Sequence, residues 1–420
     1  MKTLFKNAKI LTMVDDKIID GDLIVDDNRI AYIGKDSSNY GPFDRVVECN
    51  GNLLMPGFKN AHAHSAMVFL KDVPEDVTLQ QWLFDYVFPR EARLQKGDVY
   101  HLNKVSYLEY VKNGITFCFE HYFFPPESAQ SAKDFGMRTL LLGSYSLGET
   151  STTVDELERL ANLYNSEKDG LVRYLVGIHA EYTADDALMK GTKEAISRIK
   201  KPFYTHISET VKEVKECYDR HQKTPLQYLY EEGLFKYGGG GFHCVHFTDG
   251  EIKICRENNI NIVSCPGSND YLGSGVAPLK KFLDNGLNVA LGTDGPASNH
   301  GLNMFREMQI VVDHQKGSIL PFEILKMATV NASKAMGLDN ADVLAVGKYA
   351  DIIMLDLSKP NMKQSNDIIS NVVCYGNKDN VIMTMINGRI LYENGVYNIN
   401  DNIEEIYKKA EEISRRLANK

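Results

Sequence analysis

The middle of this chain alternates short apolar runs with amphipathic stretches eight times over, and few folds accommodate that rhythm. Buried-strand candidates occupy residues 53–64, 114–123, 138–146, 172–180, 202–209, 241–247, 260–267 and 288–295. Stretches of helical periodicity separate or follow them at 96–112, 153–165, 184–199, 249–258 and 321–336. Eight strand–helix units predict an α/β architecture, a parallel (β/α)8 TIM barrel spanning 56–345. The flanks have a different texture. Residues 1–55 and 346–398 read as β, with runs such as Asp22-Leu-Ile-Val and Val381-Ile-Met-Thr-Met-Ile broken by Asp, Asn and Gly turns. The last segment, 399–420, predicts an amphipathic helix with Ile403, Ile406, Ala410, Ile413 and Leu417 on one stripe, packed on the body of the protein.

Barrels of this kind carry their chemistry at the C-terminal ends of the strands. His64, His206, His243 and Asp294 fall at the ends of candidate strands one, five, six and eight. In His62-Ala-His64 the two imidazoles are two residues apart, so an extended strand turns both to one side, where they can share a metal ion. Two histidines, a third from a later strand end and the late Asp294 make a nitrogen-and-oxygen set. Such a set suits zinc or iron(II) with one position left open for water.

Composition narrows the partners. A net charge of −9 leaves no basic surplus to neutralise phosphates, so nucleic acid and anionic membrane surfaces are not expected partners. The seven cysteines, at 49, 118, 217, 244, 255, 265 and 374, form no CxxC pair and read as reduced thiols of a cytoplasmic protein. No segment approaches the ~20 apolar residues of a membrane span.

Five segments, in order, carry a resemblance: Met55-Pro-Gly-Phe…His62-Ala-His64, Thr205-His206-Ile-Ser-Glu209-Thr, Phe242-His243-Cys-Val-His246, Ser268-Asn-Asp-Tyr-Leu-Gly-Ser-Gly and Gly292-Thr-Asp294-Gly. With them the chain resembles the metal-dependent amidohydrolase superfamily, in the branch of S-adenosylhomocysteine/5′-methylthioadenosine, guanine and triazine aminohydrolases. The resemblance implies that the terminal β segments, including Val346-Gly-Lys-Tyr-Ala-Asp351-Ile-Ile, form one small composite β-sandwich beside the barrel. It implies metal ligation by His62, His64, His206 and Asp294, and catalytic roles for Glu209, His243 and Asp294. His243 is preferred over His246 by analogy with the barrel mouth. Two-metal members use a lysine after strand four; here Val176-Gly-Ile-His179-Ala-Glu181 has none, so one divalent metal per chain is expected, zinc before iron.

Substrate contacts are expected from Glu91, at a position where related nucleoside deaminases hold ribose hydroxyls, from His179, from Glu209 and Asp294, and from Trp82 as a pocket wall. His101, His121, His221, His300 and His314 are read as structural or exposed. The implied reaction is hydrolytic deamination. Hydroxide generated at the metal attacks an amino-substituted heterocycle, Glu209 protonates the adjacent ring nitrogen, and ammonia leaves. The expected substrate is the adenine of a nucleoside such as 5′-methylthioadenosine, 5′-deoxyadenosine or adenosine. The runner-up is a free base, pterin or triazine, including triazine dechlorination; a catalytically silent binding protein conflicts with the intact ligand set. A homodimer or tetramer is common among resembling proteins.

Two departures concern the substrate. S-adenosylhomocysteine deaminases carry arginines after strand three, whereas the loop from Gly143 to Val154 has no Arg or Lys and contains Glu149. Strand seven reads Ser264-Cys265-Pro266 where the family has Ser-His-x-Pro, apparently one residue short.

Overall fold

The computed structural model describes residues 1–74, 77–146, 152–167 and 170–418. Its strands are β1 (Lys2–Leu11), β2 (Ile18–Asp26), β3 (Arg29–Gly34), β4 (Arg45–Glu48), β5 (Leu53–Pro56), β6 (Phe58–Ala63), β7 (Ile115–Glu120), β8 (Arg138–Gly143) and β9 (Val172–Gly177). They continue with β10 (Phe203–Ile207), β11 (Gly239–His243), β12 (Ile260–Ser264), β13 (Val289–Leu291), β14 (Ile352–Leu355), β15 (Val381–Ile386), β16 (Arg389–Glu393) and β17 (Val396–Tyr397). Strands β6 to β13 pair in chain order and in parallel. The barrel is closed by a parallel bridge between Ala63 and Asp294, with the Asp294 N–H donating to the His62 carbonyl at 3.0 Å. One turn earlier, Asn60 and Thr293 exchange two hydrogen bonds, at 2.7 and 2.8 Å.

The barrel interior is filled by side chains from successive strands, among them Ala61, Phe117, Phe119, Leu140, Leu142, Tyr204, Phe242, Val263 and Ala290. It is a packed core, so substrate can only be met at its rim. The composite sandwich is hydrogen-bonded as one continuous mixed sheet, in the order β17-β16-β15-β14-β5-β1-β2-β3, with β4 also pairing with β1. The N-terminal strand β5 lies between β1 and the C-terminal β14.

Four expectations need correction. The single strand at 53–64 is two: β5 belongs to the small sheet and β6 to the barrel, and Gly57 turns the chain between them. A Cβ at Gly57 would come 2.1 Å from the Thr116 side chain, so only glycine fits where the two sheets are closest. The eighth strand is shorter than 288–295 and stops at Leu291, and the 321–336 helix is divided into Pro321–Met327 and Val330–Ala335. The C-terminal β region also holds a helix, Ile368–Tyr375, which its β texture does not announce.

The terminal helix, Ile403–Ala418, packs on the body. It buries Ile406, Ala410 and Leu417, and Arg416 bonds Asp98. Among the described residues no helix is long and apolar enough to cross a membrane.

Barrel and sheet are also joined by a buried ion pair. Arg138, the first residue of β8, donates through Nε and Nη2 to Asp351 at 2.7 and 3.0 Å, and both side chains are sealed from solvent. Truncating Arg138 leaves a buried carboxylate without its cation. Arg138→Leu is expected to destabilise the fold by about 3–5 kcal/mol, read as a shift in urea midpoint; a loss below ~1 kcal/mol would show that the pair is dispensable.

Candidate active site

Each of the main site residues stands where a barrel strand ends. His62 lies in β6 and His64 just beyond it. His206 is in β10, His243 closes β11, and Asp294 follows β13. Their atoms converge. His62 Nε2 lies 3.2 Å and His64 Nε2 3.1 Å from Asp294 Oδ1. His206 Nε2 lies 3.1 Å from His62 Nε2 and 3.3 Å from His64 Nε2. All four side chains are buried or nearly so.

The tautomers follow from the outer contacts. His64 Nδ1 faces the His121 carbonyl at 2.5 Å, and His206 Nδ1 faces the His179 carbonyl at 2.7 Å. A carbonyl can only accept, so each Nδ1 carries the proton and each Nε2 points inward with a lone pair when the ring is neutral. Lone pairs held this close repel unless a cation lies between them. Tetrahedral ligands at zinc–nitrogen and zinc–oxygen distances stand about 3.3 Å apart, and the separations here fit that spacing. The donor set therefore fits a divalent metal.

His243 belongs to the same group: one donor atom each from His62, His206, His243 and Asp294 lies within 4.8 Å of the others. His64, outside that set of four, has its Nε2 3.1 Å from Asp294 Oδ1 and 3.3 Å from His206 Nε2. His243 Nδ1 donates to Asn269 Oδ1 at 2.8 Å. His246 instead bonds the Ser274 carbonyl at 2.8 Å and does not line the cavity.

Burial pulls His62 down to about 3 and His206 well below its ordinary value, so both rings are neutral donors. Burial opposes charge on His64 too, but its contact with Asp294 outweighs this and raises it to about 9. Asp294, likewise desolvated, is held well below the usual carboxylate range by His62 and His64. Its second oxygen, Oδ2, accepts from Ser268 Oγ at 2.6 Å and Ser298 Oγ at 2.7 Å, so the side chain cannot swing away from the histidines. The strand-seven departure thus leaves the site supplied. Cys265 caps the helix Pro266–Tyr271, whose Ser268 reaches Asp294 and whose Asn269 reaches His243.

Glu209 is buried 3.8 Å from His243 Nδ1, accepts from Ser274 Oγ at 3.1 Å, and has its pKa raised, chiefly by burial. Its backbone is fixed by Glu213, whose carboxylate accepts from the N–H groups of Ser208 and Glu209, both at 2.7 Å.

These groups open onto a cavity of about 560 Å³. Glu91, His179 and Trp82 are among the residues that line it. Glu91 is buried, raised to about 7 by desolvation, and accepts from the Tyr122 hydroxyl at 2.7 Å. Burial lowers His179 to about 4, and Trp82 lies in a single π-helical segment, Trp82–Val87. His121 corrects the sequence reading. It is a buried wall of the cavity, its ring 5.3 Å from His206 and 5.6 Å from His64. Its place at the end of strand two was the available signal. Ser298 and Glu213 were also missed: Ser298 lies in the loop after Asp294, and Glu213 in the first turn of the helix Val211–His221, where the Thr210-x-x-Glu213 spacing was an available signal. Glu149 lies outside the described residues.

A model of the amidohydrolase family matches residues 53–391. The chain belongs to the amidohydrolase family. It is 35% identical over 430 aligned residues to a 5-methylthioadenosine/S-adenosylhomocysteine deaminase of Caldanaerobacter subterraneus subsp. tengcongensis, covering 99% of each chain. It is 33% identical to a 5′-deoxyadenosine deaminase of Methanosarcina acetivorans, covering 98% of each. Among solved structures, a zinc-bound adenosine deaminase from Xanthomonas campestris superposes with a TM-score of 0.91 at 25% identity, over 99% of this chain and 98% of that one.

Asp294→Asn removes the anionic donor at the point where three imidazoles meet. The variant is expected to lose bound metal and turnover together, measured by elemental analysis of the purified protein and by product formation. Wild-type rates in the variant, or full activity after exhaustive chelation, would refute the site.

Proposed function

We propose that this protein is a hydrolytic deaminase of an adenine nucleoside with an uncharged 5′ group, such as 5′-methylthioadenosine, 5′-deoxyadenosine or adenosine. The observation that carries the reading is the juxtaposition of a buried carboxyl whose pKa burial raises, Glu209, with the converging donors His64, His206 and Asp294 in one cavity. Relatives that deaminate such nucleosides, aligned along the whole chain, support it.

One divalent metal per chain, zinc in this reading, held by His62, His64, His206 and Asp294, would lower the pKa of a water molecule so that hydroxide is available near neutral pH. Glu209 delivers a proton to the ring nitrogen beside the carbon that bears the amino group. Burial suits it to the task, because a raised pKa brings a carboxyl toward the range in which it can carry and deliver a proton. His243, with Nδ1–H committed to Asn269, presents Nε2 as an acceptor that orients the attacking water and takes its proton. Asp294, anchored by two serines, orients the same water from the other side. The carbon–oxygen bond forms, the carbon–nitrogen bond breaks, and the amino group leaves as ammonia.

Glu91 has one oxygen on Tyr122, and in this reading its second accepts from a ribose hydroxyl. A free base would leave that buried carboxyl without a ligand. The 5′ end of the substrate meets a lining with no arginine or lysine among the described residues, while Glu156 contributes to it. Arg90, near the cavity in sequence, pairs with Asp72 at 2.5 Å instead. A carboxylate entering this space would be desolvated without a cationic partner.

An ammonia-release screen over nucleosides, free purines, pterins and triazines tests the class directly; turnover of free bases alone would refute the nucleoside reading. Within the nucleosides, 5′-methylthioadenosine should exceed S-adenosylhomocysteine by about tenfold or more in kcat/KM, the value of one missing charge-assisted contact. Equal efficiency would mean that a cationic group reaches the substrate by another route. Glu209→Gln keeps the shape of the side chain but cannot carry the proton. Its kcat is expected to fall by about two to four orders of magnitude with a much smaller change in substrate affinity. Lost affinity with an unchanged kcat would reduce Glu209 to a binding residue.

A further inference from the structure

Glu307 lies outside the cavity on the helix Met304–His314, has no solvent exposure, and has no part in the chemistry above. Its carboxylate nevertheless joins the two segments on which that chemistry depends. Oε2 accepts from the Gly267 N–H at 2.8 Å, and Oε1 accepts from Asn299 Nδ2 at 2.8 Å. The same Asn299 nitrogen donates to the Thr293 carbonyl at 2.8 Å. Gly267 precedes Ser268 and Asn269, which hold Asp294 and His243; Thr293 precedes Asp294 itself. One buried side chain therefore fixes the spacing between Asp294 and the serine that aims it.

The approach is close enough to constrain the sequence. A Cβ at Gly267 would come 2.5 Å from Glu307 Oε1 and 2.7 Å from Asn299, so the glycine is what lets the carboxylate reach the backbone. Asp294 has a φ of 60°, in the left-handed region that is uncommon for non-glycine residues. The helix start Cys265–Asn269 and the loop Thr293–Asn299 come from different barrel units, and Glu307 is bonded to both.

We propose that Glu307 is the positioning residue of the metal centre, acting through Gly267 and Asn299 to hold Asp294 and Ser268 in ligating register. This rests on the metal-dependent reading above. Partners of this kind, one bond removed from a ligand, change metal affinity or activity by about 10–100-fold when altered.

The test uses the full-length protein. Zinc affinity is measured by competition with a chromogenic chelator, alongside kcat and KM for 5′-methylthioadenosine, in wild type, Glu307→Gln, Ser268→Ala and the double variant. Glu307→Gln keeps the volume but replaces one acceptor by a donor facing a donor. It should weaken zinc binding by about 10–100-fold and lower kcat, with KM within about threefold. Because Glu307 and Ser268 act on the same carboxylate, the double variant should lose clearly less than the product of the two single losses. Asn299→Ala, which leaves the Glu307–Gly267 bond in place and frees the Thr293 carbonyl and Glu307 Oε1, should shift zinc affinity in the same direction. Unchanged zinc affinity in Glu307→Gln and Asn299→Ala, or strictly multiplicative losses in the double variant, would overturn the proposal. A wild type that binds no metal would instead refute the reading on which it rests.

Discussion

The N–H of Asp294 donates to the carbonyl of His62, and this one hydrogen bond closes the barrel and joins two donors of the candidate metal group at once. The first and last strands of the barrel are 226 or more residues apart in sequence, yet the site needs their ends within a few ångströms. Backbone pairing supplies that proximity before any metal is considered. It also explains why the donors divide as they do. Strand one contributes two imidazoles on one side, strand eight contributes the carboxylate facing them, and strand five brings His206 across the barrel mouth. A ligand set spread over three strands is only as exact as the closure that sets their stagger.

Electrostatics then finishes what topology begins. Left to themselves, three desolvated rings and a carboxylate would fight over protons, and the protein blocks most of the alternatives. Carbonyls of His121 and His179 and the amide of Asn269 occupy the outer nitrogens of His64, His206 and His243. Two serines occupy the outer oxygen of Asp294. Hydrogen bonds on the far side of His64, His206, His243 and Asp294 thus choose both tautomer and direction, whereas His62 Nδ1 is buried without a partner among the described residues; the backbone at His243 and Asp294 is left-handed.

Much of this was legible in the chain. The eightfold alternation gives the barrel, because a strand returning after a helix has few other places to go. The strand-end positions of His64, His206, His243 and Asp294 group them before any coordinates do. What escaped was decided by distance along the chain or by single residues. The break at Gly57 lies inside one continuous apolar run, so periodicity cannot see that Leu53–Pro56 and Phe58–Ala63 serve different sheets. The helix Ile368–Tyr375 is short and apolar, and a run of that length has no period to read. His121 was set aside because no motif claims it, although its strand-end position was as good as that of His64. Ser298 and Glu307 act on the segments around Asp294, where side-chain reach depends on tertiary contact rather than spacing, whereas Glu213 sits at a helix start that the Thr210-x-x-Glu213 spacing marks.

The order of the small sheet has a consequence for how the molecule is made. Strand β5, from the first sixty residues, has β14 as its neighbour on one side, and β14 lies beyond residue 350. During synthesis β5 therefore waits with one edge bare while the whole intervening barrel is produced. The sheet is the last part of the protein that can be completed, even though it contains the first part to emerge. Because β6 follows β5 across a single glycine, the late arrival of β14 also secures the base of the strand that carries His62.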